Sequence, residues 1–129
     1  MNDSSKKILV VDDQPEVGAQ IGAYLRHFGF TPVIVGSVGE ALTNFEPNLY
    51  MLIISDVLMP GKNGFDLVRF IRNEYPQIPV ALVSGYFDKQ MEELQKVFGI
   101  KKIYRKPVFL NTVKQMLADS LTPLVEKES

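Results

Sequence analysis

Five side chains in this 129-residue sequence have types and positions suited to chemistry on a charged oxygen: Asp12, Asp13, Asp56, Ser84 and Lys106. The first two are adjacent, in Val-Val-Asp-Asp-Gln-Pro over residues 10–15. Neighbouring like charges repel, so the pair is either solvated helix-start chemistry or half of a site for something positive. Asp56 opens Asp-Val-Leu-Met-Pro-Gly-Lys-Asn-Gly, Ser84 precedes Gly85, and Lys106 precedes Pro107. If the three carboxylates lay about 5 Å apart at an effective dielectric near 20, each pair would cost about 3 kcal/mol and the trio about 10. That rivals the roughly 5 to 15 kcal/mol by which a whole domain is stable. Lys106 answers one charge, and the remainder calls for raised carboxylate pKa values or a divalent cation. Oxygen ligands alone, without His or Cys, favour Mg²⁺ over zinc. A carboxylate beside such an ion suits phosphoryl transfer, with Asp56 as the nucleophile that forms an acyl phosphate.

These residues work together only if the chain brings them together. Strand-like runs occur at Ile-Leu-Val-Val (8–11), Thr-Pro-Val-Ile-Val (31–35), Met-Leu-Ile-Ile-Ser (51–55), Pro-Val-Ala-Leu-Val-Ser (79–84) and Lys-Ile-Tyr-Arg (102–105). Three are continuously apolar, as expected of strands buried on both faces of a parallel sheet. Helical spacing groups Val17, Ile21, Leu25 and Phe28; Leu67, Phe70 and Ile71; Met91, Leu94 and Phe98; and Leu110, Val113, Leu117 and Leu121. A further helix is expected over 37–45. Pro15 suits a first helical turn, Gly29 and Gly99 suit positions just past a helix end, and Pro76 and Pro79 bracket a loop. Five strands alternating with five helices predict a three-layer α/β/α domain around a doubly wound parallel sheet. Such sheets bind ligands at the carboxyl ends of their strands, and the order 2-1-3-4-5 would gather all five polar residues on one edge.

Composition narrows the partners. The content is 46% hydrophobic and 22% charged with a formal net charge of -1, a globular balance without the basic excess that phosphate-backbone binding needs. Direct nucleic-acid binding is therefore not expected. The absence of cysteine excludes thiolate metal sites and fits a reducing, cytoplasmic setting. No apolar run approaches the roughly 18 residues of a membrane span, so no membrane role is expected. Simpler readings exist for single residues. Asp13 could cap the helix beginning near Pro15, Gly61 and Gly64 could be backbone turns, and His27, the sole histidine, reads as a helix-end surface residue.

The acid pair Asp12-Asp13, the Asp-x-x-Met-Pro-x-x-x-Gly of 56–64, Ser84-Gly85 and Lys106-Pro107 resemble, in that order, the dispersed signature of response-regulator receiver domains of two-component phosphorelay signalling. The resemblance covers about 7–121, leaving 1–6 as a solvated tail and 122–129 as a tail or the start of a linker. It implies the flavodoxin-like topology and a Mg²⁺ ion bound by Asp13, Asp56 and the backbone carbonyl of Leu58, with Asp12 holding a metal-bound water. It further implies that Lys106 and Ser84 each contact a phosphoryl oxygen on Asp56, and that the Lys106-Pro107 bond is cis. The implied donor is a phosphohistidine on a sensor histidine kinase or a histidine phosphotransfer protein. The implied output is a fused or separate domain, and catalysis is confined to the chain's own phosphorylation and dephosphorylation. Two alternatives are a degenerate receiver that only docks, and a Mg²⁺-dependent aspartyl phosphatase. The intact residue set argues against the first, and the lack of Asp-x-Asp spacing after the first strand argues against the second.

One position departs from the family pattern. Receivers usually carry an aromatic residue three positions before the lysine, where this chain has Ile103. Tyr104 lies one residue on and, in an unshifted strand, faces the opposite way unless a bulge intervenes. Ile103 is β-branched and stiff, so the expected switch runs from Ser84 through the loop around Tyr86 to the start of the fourth helix.

Overall fold

The sheet forms because its central segments are apolar on both faces and can be covered from both sides. The computed structural model describes residues 7–121; the two expected tails, 1–6 and 122–129, lie outside the described residues. In chain order the elements are β1 (Lys7–Val11), α1 (Pro15–His27), β2 (Thr31–Val35), α2 (Val38–Leu42), a 3₁₀ turn (Pro47–Leu49), β3 (Tyr50–Asp56), α3 (Gly64–Glu74), β4 (Val80–Ser84), α4 (Lys89–Val97), β5 (Ile103–Arg105) and α5 (Leu110–Leu121). The strands are parallel and ordered β2-β1-β3-β4-β5, as expected. Among the described residues no helix is long and apolar enough to cross a membrane.

Alternation along the strands sorts the core into two layers. Ile8, Val10, Leu52, Ile54, Val83 and Tyr104 pack with Ile21 and Leu25 of α1 and with Val113 and Met116 of α5. On the other face, Leu9, Val11 and Ile53 meet α2 and α3, while Leu82 and Ile103 meet Phe65, Val68 and Met91. Each fully buried Leu or Ile contributes about 1.5–3 kcal/mol by leaving water. β2 is an edge strand with no fully buried residue, which accommodates Pro32.

Several boundaries and faces differ from expectation for identifiable reasons. The helix expected over 37–45 is a single turn. Ser37 caps it by accepting from the Glu40 N–H at 3.0 Å, but Thr43 is extended and Asn44 has a φ of 57°. Phe45 instead joins an aromatic group, 5.5 Å from the Tyr50 ring and 5.2 Å from Tyr75. On α3, Phe70 is exposed, because the buried stripe is Gly64, Leu67, Val68 and Ile71. On α5, Leu110 starts the helix half in solvent, and Met116 fills the core beside Val113. Pro15 stands in the first turn of α1, and Gly29 and Gly99 follow α1 and α4 with φ of 91° and 64°, the left-handed conformation that glycine adopts without strain.

The β4–β5 register is unshifted, pairing Leu82 with Ile103, Val83 with Tyr104 and Ser84 with Arg105. No bulge intervenes, so Tyr104 faces α5, where its hydroxyl donates to Asp119 Oδ2 at 2.5 Å. That hydrogen bond, followed by those from Gln115 and the charge of Lys102, outweighs the desolvation of Asp119 and holds its carboxyl below the ordinary range. Burial first, then Asp119, raises the Tyr104 phenol. Tyr104→Phe is expected to cost about 1 kcal/mol at pH 7, less than a buried bond to a charged group because Asp119 is solvent-exposed. Asp119 holds its proton less tightly folded than unfolded, so the bond contributes fully above the ordinary carboxylate pKa of about 4. The difference between wild type and variant should therefore shrink as pH falls through the depressed value, as denaturant melts at pH 7 and in strong acid would show.

Candidate functional site

Most candidate side chains are carried by backbone that the sheet itself fixes. One residue beyond β1, the Asp12 N–H donates to the Val35 carbonyl at 3.1 Å. Past β3, the Val57 N–H donates to Val83, and past β5, the Lys106 N–H donates to Ser84, each at 2.9 Å. The parallel ladder thus runs on to the strand ends where the charges sit. After β3 the chain turns through Gly61, with φ 76°, and starts α3 with a capping box in which Asn63 accepts from the Asp66 N–H and Asp66 accepts from the Asn63 N–H. Gly64, expected as a turn, is the first residue of α3 and is required by close approach. A Cβ there would lie 2.7 Å from the Asp56 carbonyl oxygen and 3.0 Å from Val57 Cα.

The three carboxylates meet. Asp12, Asp13 and Asp56 each offer an oxygen within 4.8 Å of the others; Asp12 and Asp56 are buried and Asp13 is exposed. The Lys106 ammonium sits between the two buried acids, 3.1 Å from Asp12 Oδ2 and 3.1 Å from Asp56 Oδ2. Burial raises the Asp56 carboxyl above its ordinary value. The hydrogen bond and charge of Lys106 oppose that rise, and the charges of Asp12 and Asp13 add to it. Burial alone would lower the Lys106 ammonium, but its bonds to Asp56 and Asp12 more than offset this and leave it raised. Three carboxylates against one ammonium leave two negative charges uncompensated. The donors are all oxygens, close enough to share one ion, with one carboxylate open to solvent. This set fits a hard divalent cation such as Mg²⁺, which keeps several waters.

Asp13 does not cap α1. The capping position is Gln14, whose side chain makes no cap bond, while its N–H donates to Asp12 Oδ1 at 2.9 Å. Gln14 is the site residue that sequence reasoning missed. Its Oε1 accepts from Lys106 Nζ at 3.2 Å, a contact between residues far apart in the chain that no local motif marks. Leu58 follows the strand end and is 48% exposed, so apolar burial does not account for its position. The Lys106-Pro107 bond is cis. His27 ends α1 on the surface with its ring edge-on to Phe28, away from the acid cluster.

Ser84 is fully buried at the end of β4, and its hydroxyl is engaged locally. It donates to the Tyr86 carbonyl at 2.8 Å and accepts from the Tyr86 N–H at 3.1 Å. Tyr86 itself is 56% exposed. Phe87, next in the loop, packs against the cluster that contains buried Ile103, and the Arg105 guanidinium lies over its ring at 4.1 Å. Asp88 then caps α4 by accepting from the Met91 N–H at 2.8 Å.

The family profile described as "Response regulator receiver domain" matches residues 8–118. Among curated proteins, the chain is 31% identical over 124 residues to the Regulator of RpoS of Escherichia coli K12, covering 92% of this chain and 35% of that one. It is 30% identical over 122 residues to the autoinducer 1 sensor kinase/phosphatase LuxN of Vibrio harveyi, covering 94% of this chain and 14% of that one. The chain thus spans about a third or less of the length of these relatives. Among solved structures, a receiver domain from Clostridium thermocellum superposes with a TM-score of 0.81 at 26% identity, covering 94% and 98% of the two chains. A CheY-like receiver domain from Methanospirillum hungatei superposes with a TM-score of 0.82 at 24% identity, covering 97% and 99%. A profile match spanning the sheet from β1 into α5, with the acids gathered at the strand ends, places this chain in the response regulator receiver domain family.

Proposed function

We propose that this chain is a phosphoacceptor switch in which Asp56 takes a phosphoryl group from a phosphohistidine on a sensor histidine kinase or phosphotransfer protein. The observation that carries this reading is the single ammonium of Lys106 set between buried Asp12 and Asp56, with the Asp13 carboxylate beside them. An Asp56 oxygen attacks phosphorus, the new O–P bond forms as the donor N–P bond breaks, and the electron pair leaves with the imidazole nitrogen. Asp13, Asp56 and the Leu58 carbonyl would hold Mg²⁺, with Asp12 acting through a water; the bound ion supplies charge neutralisation on the transferred group. Lys106 pairs with a phosphoryl oxygen once Asp56 is phosphorylated. The receiver unit is proposed to run over 7–121, to act in the cytoplasm, and to serve an output domain fused or separate.

The switch follows from what Ser84 must give up. To donate to a phosphoryl oxygen its hydroxyl must leave the Tyr86 carbonyl, which frees the loop carrying Phe87 and the Asp88 cap of α4. Ile103, buried and β-branched, takes little part in that movement, and the signal is read on the loop and the start of α4.

Treatment with a small acyl-phosphate donor and Mg²⁺ should add one phosphoryl group to the wild-type chain by mass, and Asp56→Asn or chelation should abolish the addition. Full modification of Asp56→Asn would reject the assignment. A second expectation concerns stability without Mg²⁺. The folded chain binds the Asp56 proton more tightly than the unfolded chain, so the ionised carboxylate subtracts stability above its raised pKa. Asp56→Asn should melt roughly 3–6 °C higher at pH 8, the response of a domain this size to about 1 kcal/mol. That gain should shrink as pH falls through the raised pKa toward about 4.

A further inference from the structure

We infer that Gln14 is a positioning residue for phosphoryl transfer, acting through Lys106; the inference rests on the phosphoacceptor reading above. The ammonium has three N–H donors and three acceptors at hand: Asp12 Oδ2 and Asp56 Oδ2 at 3.1 Å and Gln14 Oε1 at 3.2 Å. Two of those acceptors change role during the reaction. Asp56 becomes the acyl phosphate, and Asp12 belongs to the acid set that fits a cation. The Gln14 carboxamide is the neutral acceptor, so it can keep its bond to Lys106 whatever charge arrives.

The residue is built to hold that place. Its N–H is tied to Asp12 Oδ1 at 2.9 Å, and its carbonyl accepts from the Val17 and Gly18 N–H groups at 3.0 and 3.1 Å. Pro15 follows it in the first turn of α1, and its side chain is not used for capping. Backbone pinned on both sides thus aims a free carboxamide at the lysine. An apolar side chain at this position would remove one of the three acceptors around the ammonium. Misplacing a charged group that contacts the transferring phosphoryl slows the chemical step more than it weakens donor binding.

The test uses the full chain with Mg²⁺ and acetyl phosphate. First-order phosphorylation rates are measured across donor concentration for wild type, Gln14→Met, Lys106→Ala and the double variant. Independently, the Lys106 ammonium resonance is followed by ¹H–¹⁵N NMR in wild type and Gln14→Met. Gln14→Met should lower the maximal rate three- to tenfold, a modest range suited to an exposed hydrogen bond, and leave the half-saturating donor concentration nearly unchanged. It should shift or broaden the Lys106 resonance. In the Lys106→Ala background the same substitution should have no further effect, the mark of action through the lysine. An equal loss in both backgrounds, an unaltered rate, or an unaltered Lys106 resonance overturns the inference. Failure of the wild-type chain to accept a phosphoryl group would instead defeat the functional reading, and the resonance alone would then decide the Gln14 contact.

Discussion

One ammonium between two buried carboxylates is the interaction on which the strand-end site depends. At about 4 Å and an effective dielectric near 20, each such attraction is worth about 4 kcal/mol, and mutual repulsion of carboxylates at 5 Å costs about 3 kcal/mol per pair. Without Lys106, the buried carboxylates of Asp12 and Asp56 would face each other with no counter-charge between them. With it, the cluster remains two charges short of neutral. A balance of that kind is suited to a switch, because any arrival that alters the charge, whether a cation or a phosphoryl group, must redistribute the bonds of Lys106 and of the groups around it.

The fold serves this site by carrying the sheet's backbone bonds up to the charges and tying the loop after β4 through one side chain. Backbone bonds extend the sheet past β1, β3 and β5, and the closeness of Gly64 to the Asp56 carbonyl brings α3 directly under the Asp56 backbone. Ser84 sits at the boundary. Its β4 backbone belongs to the rigid sheet, whereas its hydroxyl is bonded to the loop that leads to α4. That loop carries exposed Tyr86 and the Phe87–Arg105 stack, so a change at the hydroxyl has a surface on which to register.

Much of this was legible in the sequence because burial on both faces leaves a plain mark. β1, β3 and β4 read as unbroken apolar runs, and the polar residue closing each run marked the edge where the site had to lie. The strand order came with the resemblance to receiver domains, and the facing of Tyr104 followed from alternation along an unshifted strand. What escaped notice depends on contacts distant in sequence or on competing local bonds. Phe45 looked like a helix face until Tyr50 and Tyr75 claimed its ring. Leu110 stays largely in solvent as the first residue of α5, and Met116 fills the core beside Val113. Gln14 gave no signal, since an exposed glutamine is ordinary and only the fold sets it beside Lys106.

The central claim is that the acid cluster, even with Lys106 in place, is incomplete without a divalent cation. The most direct measurement is the thermal midpoint of the wild-type chain and of Asp13→Asn during Mg²⁺ titration at constant ionic strength. The wild-type midpoint should rise and saturate, as binding to the folded state alone requires, and Asp13→Asn should lose most of that rise. A wild-type midpoint indifferent to Mg²⁺, or an Asp13→Asn variant that responds as strongly as wild type, would contradict the account.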